Sequence, residues 1–198
     1  MKKNYTLLVL VFLSTFITAQ ENNFNNQGGD LLWSNAANWS LTAVPIPAHT
    51  VRLPLIVESK VDLDLTILKL MTVFSTEGDV SVAGDNTVTI NPNLANGIAI
   101  ENASGNNVNL IFKGKVKINN PSGFSNMRNS YGTGNAIEFA AGSLLTLSSG
   151  FQPSSGSNNN FIINGNINGT ANLRLGTDTT VTFGNTVSNT GYTGELVQ

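Results

Sequence analysis

The chain contains no cysteine. No disulfide framework, Cys-based zinc site or lipid-modified N-terminal Cys is therefore possible. Histidine is nearly absent too, with His49 the single copy. A Ser-His-Asp device needs a His beside an activated Ser, and no G-x-S-x-G elbow occurs in the sequence. His49 reads instead as a loop residue at the mouth of a strand. One His without Cys is also too poor a ligand set for zinc. Charge is sparse: 11% of residues are charged and the net charge is −2. A nucleic-acid binder needs a basic face to neutralise phosphates, and none is visible. Gly-rich phosphate loops and G-G-x-G-x-D calcium repeats are missing, so no cofactor and no calcium-driven folding is expected. No segment carries a sustained 3.6-residue apolar stripe, which predicts almost no helix after the first residues.

The N-terminus has the three-part pattern of a secretory signal peptide. Lys2 and Lys3 are basic, an apolar or small run extends from Tyr5 to Ile17, and Ile17-Thr18-Ala19-Gln20 offers a small residue for cleavage. The run is about a dozen residues. A membrane span needs roughly 20, so residues 1–19 read as a removable leader, with no span after cleavage. The expected compartment is extracellular or cell-surface.

What fills the mature chain is Asn, Gly, Ser and Thr; Asn alone is about one residue in seven. Asn and Gly tolerate positive φ and suit a fold with many tight turns. Short alternating segments recur between them. Val51-Arg52-Leu53, Val61-Asp62-Leu63, Ile67-Leu68-Lys69-Leu70, Val80-Ser81-Val82 and Val88-Thr89-Ile90 come first. Ile98-Ala99-Ile100, Val108-Asn109-Leu110, Val116-Lys117-Ile118, Ile137-Glu138-Phe139, Leu145-Thr146-Leu147, Ile162-Ile163, Leu173-Arg174-Leu175 and Val181-Thr182-Phe183 follow. Period-two alternation turns one side of each segment inward. The segments fit an all-β right-handed parallel β-helix, with a β-sandwich as the alternative. Val80, Val108, Ile137 and Ile167 are spaced as one solenoid repeat would be.

Two stretches break the rhythm, residues 121–136 and 148–160, and are expected to be projecting loops. Residues 20–49 differ again, with Trp33, Trp39, Pro45 and Pro47. An open β-helix end exposes apolar cross-section and free edges, and this block is expected to cap it. The expected division is thus leader 1–19, cap 20–49 and repeats 50–198.

The run Trp33-Ser34-Asn35-Ala36-Ala37-Asn38-Trp39-Ser40, then Val44-Pro45 and Val51-Arg52-Leu53, resembles the opening of secreted bacterial β-helix proteins. Gly191-Tyr192-Thr193-Gly194-Glu195-Leu196 resembles the Y-T-G element of autotransporter-associated repeats. The resemblance implies a pectin-lyase-like β-helix of the adhesin or passenger-domain kind, similar in leader and Asn content to exported proteins of Bacteroidota. Such proteins usually carry more coils and a terminal translocation or sorting domain. This chain therefore reads as a fragment of a longer protein or a short secreted version. An uncapped C-terminal end would favour end-to-end self-association.

The functional expectation is structural or adhesive: an extracellular surface that binds a glycan or a protein, without catalysis. Trp33, Trp39, Phe124, Tyr131 and Phe151 are the candidate binding residues, because aromatic faces suit sugar C–H surfaces and the two irregular stretches carry Gly-Phe. For the Trp pair, capping is the competing expectation. The rival function is a polysaccharide lyase or hydrolase. Asp62 and Asp64 share a face at spacing two, with Arg52 close in sequence, and paired acids do glycoside hydrolysis. Two carboxylates fall short of calcium's six to eight ligands. That reading requires the three side chains to converge. A third is a carbohydrate-binding module of a larger secreted enzyme. The N-x-S/T matches at Asn38, Asn102 and Asn168, and the sequence Asp178-Thr179-Thr180, are expected by chance in so Asn-rich a chain.

Overall fold

The computed structural model describes residues 19–54, 58–74, 78–91, 96–102, 108–120, 124–129, 135–155, 159–175, 179–184 and 191–197. It is all-β: strands dominate, and among the described residues one short 3₁₀ turn, Ala36–Asn38, is the sole helical element. Strand β1 is Gln20–Asn23. Five triplets follow. They are β2 His49–Leu53, β3 Glu58–Lys60 and β4 Leu65–Ile67; β5 Lys69–Phe74, β6 Gly78–Ala83 and β7 Thr87–Ile90; and β8 Asn96–Asn102, β9 Val108–Phe112 and β10 Lys115–Ile118. The fourth is β11 Phe124–Asn129, β12 Ala136–Phe139 and β13 Leu144–Leu147, and the fifth β14 Gly150–Ser155, β15 Asn159–Ile163 and β16 Asn166–Gly169. The chain ends with β17 Leu173–Arg174, β18 Thr179–Phe183 and β19 Leu196–Val197.

Within the triplets each strand pairs in parallel with the strand three further on. The result is an eight-stranded sheet (β1-β2-β5-β8-β11-β14-β17-β19), a six-stranded sheet (β3 to β18) and a five-stranded sheet (β4 to β16). This winding through three parallel sheets is β-helix-like. The register places like positions on top of one another. Val80, Leu110, Ile137, Phe161 and Val181 form one column; Val82, Phe112, Phe139, Ile163 and Phe183 form the next. In the five-stranded sheet Ile67, Ile90, Ile118 and Leu147 stack, all fully buried. Burial of each such side chain contributes roughly 1.5–3 kcal/mol. The Phe112 and Phe139 rings stack at 4.9 Å, and Phe139 meets Phe161 edge-on at 5.8 Å. Phe151 reaches Phe161 from the eight-stranded sheet at 5.9 Å, joining two sheets through the core.

Several sequence expectations are corrected. Val61-Asp62-Leu63 is not a strand but the corner before β4. Ile67 to Leu70 is not one strand: the chain bends at Leu68, ending β4 in one sheet and starting β5 in another. The stretches expected as projecting loops contain β11 and β14, which pair over six residues from Phe124↔Gly150 to Asn129↔Ser155. A strand flanked on both sides obtains its order from backbone hydrogen bonds, so Ser125, Asn126 and Gln152 are accommodated without an apolar alternation to announce them. Pro153 counts against a central strand. It nevertheless lies within β14, facing Met127 of β11 in the register. Val80, Val108, Ile137 and Ile167 do not form one column either; Val80 stacks on Leu110, while Val108 faces Gly78.

At the N-terminal end, β1 covers the edge of β2 and Leu32 bridges Lys60 of β3. Phe24, Trp33 and Trp39 join the same buried cluster as the strands, with rings edge-on at 5.1 Å (Phe24–Trp39) and 5.2 Å (Trp33–Trp39). The Trp39 indole N–H donates to the Trp33 carbonyl at 2.9 Å. At the other end, Tyr192 bridges Gly169 and β19 pairs with β17. Strand β18 closes the six-stranded sheet, and Phe183 and Leu196 stand 42% and 57% exposed there.

Candidate binding face

Three of the five aromatic candidates are buried. Trp33, Trp39 and Phe151 are 0%, 1% and 0% exposed, so none offers a ring face to a ligand. Their neighbours are one another and the core strands. Phe124 lies at the start of β11, with its side chain outside the described residues, and Tyr131 lies outside them altogether.

Arg52, Asp62 and Asp64 do not share a site. The Arg52 guanidinium pairs with Glu21 of β1 at 2.7 Å. Asp62 accepts from the backbone N–H of Ser34 at 2.9 Å and from the Ser34 hydroxyl. Asp64 accepts from the Thr87 N–H at 2.6 Å. Each carboxylate thus ties one segment to another: Asp62 holds the N-terminal block to the first corner, and Asp64 holds the second triplet to the first. Among the described residues no three His, Asp or Glu side chains cluster as metal ligands.

His49 is not the loop residue expected but the first residue of β2, 5% exposed. Its Nδ1 accepts from the Asn22 amide at 3.3 Å and lies 3.4 Å from the Ile46 N–H. Burial lowers its pKa from the ordinary 6.5. In the N-terminal block, Asp30 accepts from Asn35 at 2.8 Å, Asn38 at 2.6 Å and the Leu32 N–H at 3.1 Å. The Asn35 bond, then the Leu32 and Asn38 bonds, lower its pKa below 3.8. Both groups hold fewer protons folded than unfolded, so stability rises with pH through each window. The prediction is a melting temperature that falls as pH drops below about 6.5, where unfolded His titrates, with a second loss below the ordinary Asp range. His49→Asn should flatten the first phase, which a pH series of thermal melts reads directly.

The outward positions of the five-stranded sheet are mostly polar. Thr66, Thr89, Lys117, Thr146 and Asn168 form one column, and Thr87, Lys115, Leu144 and Asn166 a second beside it. The inward residues between them (Leu65, Val88, Val116, Leu145 and Ile167) are buried, which fixes the polar side chains outward because strand side chains alternate. Thr66, Thr87, Thr89 and Lys117, together with Pro47, Asp64 and Leu65, line a groove of about 460 Å³. Pro47 comes from the N-terminal block; the floor is the first column. The groove falls within the 300–1,000 Å³ of small-ligand sites. A second hollow of about 420 Å³ lies at the corner toward the eight-stranded sheet, lined by Asn120, Ser148, Ser149, Gly150, Ala171, Asn172 and Arg174.

Sequence reasoning did not single out this face. Its signal is the vertical register, which emerges when strands far apart in sequence are paired. No protein-family model, curated protein or solved structure matches the chain.

Proposed function

We propose that the chain is a secreted right-handed parallel β-helix closed by an N-terminal aromatic cap, and that it acts as an extracellular adhesive or structural protein that binds a glycan without catalysis. The observation carrying this reading is the outward polar face of the five-stranded sheet. Its rungs repeat about every 4.8 Å along the stack, which suits a ligand that is itself a repeating chain of rings and hydroxyls. Threonine hydroxyls and asparagine amides both donate and accept, as sugar hydroxyls do. Supporting export, β1 begins at Gln20, directly after the expected cleavage site at Ala19. Among the described residues no helix is long and apolar enough to cross a membrane. Arg52, Asp62 and Asp64 have separate partners, so this trio does not converge as the lyase or hydrolase reading requires.

The test is a printed glycan array probed with the purified protein and with a Thr66→Val/Thr89→Val double variant. The variant keeps shape and strand propensity while deleting two hydroxyls from the groove floor. Binding of a linear glycan by the parent, weakened about fivefold or more in the variant, is expected from the loss of hydrogen bonds worth about 1 kcal/mol each. Equal binding by both proteins would move the site off this face.

A further inference from the structure

We infer that the β18 end of the stack is a docking surface for a second copy of this chain, the two joined end to end by antiparallel pairing of β18 with its counterpart. The inference stands apart from the glycan reading and is tested without a ligand.

Strand β18 is the last of the six-stranded sheet, and among the described residues no strand pairs with its outer edge. It runs for five residues, Thr179–Phe183, in unbroken register with β15. Exposed edges are usually blunted by charge, proline or a bulge, and this strand has none of the three. The opposite end of the stack is guarded: β1 covers β2, Leu32 bridges Lys60, and Phe24, Trp33 and Trp39 join the core there. At the β18 end the core side is open as well. Val82, Phe112, Phe139 and Ile163 are buried, whereas Phe183 in the same column is 42% exposed. Phe151 and Leu173 are buried, whereas Leu196, next in their column, is 57% exposed.

The backbone fixes how a second copy joins. Gly184 donates its N–H to the Ile163 carbonyl of β15 at 2.8 Å. In a parallel ladder the N–H and C=O of one residue point to the same neighbour, and successive residues alternate sides. Thr180 and Thr182 therefore turn theirs toward β15, while Thr179, Val181 and Phe183 turn theirs to the open edge. An antiparallel copy centred on Val181 lets Val181 exchange both bonds with its counterpart, and Thr179 with Phe183. The same register keeps Val181 and Phe183 on the core side and Thr180 and Thr182 outside. Such a contact is two-fold: one patch serves both copies, and assembly closes at two. A turn of the stack takes about 22 to 26 residues (Leu145↔Ile167, Phe124↔Gly150), which matches the roughly 20–30 residues a side of a stable interface. Charge does not oppose it. The described residues between 173 and 197 carry Arg174 and Glu195, one of each sign.

Sedimentation velocity of the purified chain over a dilution series should show a dimer that dissociates on dilution, and no larger species. Val181→Pro deletes the N–H that faces the open edge and leaves the bonds to β15, a setting in which edge strands tolerate proline. It should weaken the dimer about tenfold or more. Thr180→Lys/Thr182→Lys, at exposed outward positions, sets like charges directly opposite one another and should weaken it as much. Ser81→Lys on β6 adds the same charge far from that end and should remain dimeric. An unchanged circular dichroism spectrum establishes that each variant folds; the lysine pair decides the matter if Val181→Pro does not. Under oxidation Thr180→Cys/Thr182→Cys should form a covalent dimer. Residues 180 and 182 of the two copies face each other as a non-hydrogen-bonded pair with Cα atoms about 4.5 Å apart, within disulfide reach. A parent that is monomeric at every concentration, open-ended oligomers, a dimer that survives the lysine pair, or the lack of a covalent dimer would each overturn the inference.

Discussion

Gly84→Ala is expected to cost more than about 3 kcal/mol, combining backbone strain with overpacking. Gly84 follows β6 at the corner between the six- and five-stranded sheets and has φ +117°, a region L side chains rarely enter. An added Cβ would lie 2.2 Å from the Val61 carbonyl oxygen and 2.9 Å from its carbon and nitrogen. The contact is with backbone, so no rotamer change relieves it. The Val61 N–H is already committed to the Ala83 carbonyl at 2.8 Å, and moving Val61 aside breaks a bond between consecutive triplets. The matched control is Gly142→Ala. Gly142 also has positive φ, +86°, but an added Cβ meets nothing within 4 Å. Its cost should be the conformational strain alone, about 1–2 kcal/mol. Thermal or urea melts of the two variants measure the difference; equal midpoints would mean that the triplets do not approach as closely as described.

The second large effect is expected at the N-terminal end. Trp39→Ala removes a fully buried indole, two edge-on ring contacts and the hydrogen bond to Trp33. Large-to-small changes of this kind cost about 3–5 kcal/mol. In a stack where each layer touches its neighbours alone, loss of an end layer uncovers the next. The variant should therefore become sensitive to proteolysis in residues 24–42 before its global transition, while Trp39→Phe, which keeps a ring, should lose less. A Trp39→Ala protein melting within about 2 °C of the parent, a change of no more than about 1 kcal/mol, would reduce the aromatic cluster to an ornament on the first triplet.

How much of this was legible in the sequence depends on what each element relies on. Strands with a clean apolar alternation, such as Val80-Ser81-Val82 and Val108-Asn109-Leu110, declare themselves because one side must be buried. Strands β11 and β14 do not, since pairing on the flanks holds them, and Gly, Ser and Pro conceal the pattern. Corners were misread where an apolar residue serves a turn: Val61 is 2% exposed without being in a strand. The aromatic residues illustrate the same limit for function. Trp33 and Trp39 have the composition of a sugar platform, and their burial is decided by the bridges of Leu32 to Lys60 and Phe24 to Trp39, which no local pattern reveals. Conversely Lys117 sat in an identified strand, yet its place between Thr89 and Thr146 follows from register across widely separated triplets.

The most direct test of the account is that register, because both the β-helix reading and the continuous polar face depend on it. The absence of cysteine makes the measurement clean. In Thr89→Cys/Lys117→Cys the two thiols would occupy paired positions on one face, with Cα atoms on adjacent strands about 4.8 Å apart, inside the span a disulfide bridges. In Thr89→Cys/Val116→Cys the second thiol would point into the core. Under mild oxidation the first protein should form an intramolecular cross-link and the second should keep its thiols. A cross-link in the second and not the first would place the strands one residue out of register, turn the proposed face inward and contradict the account.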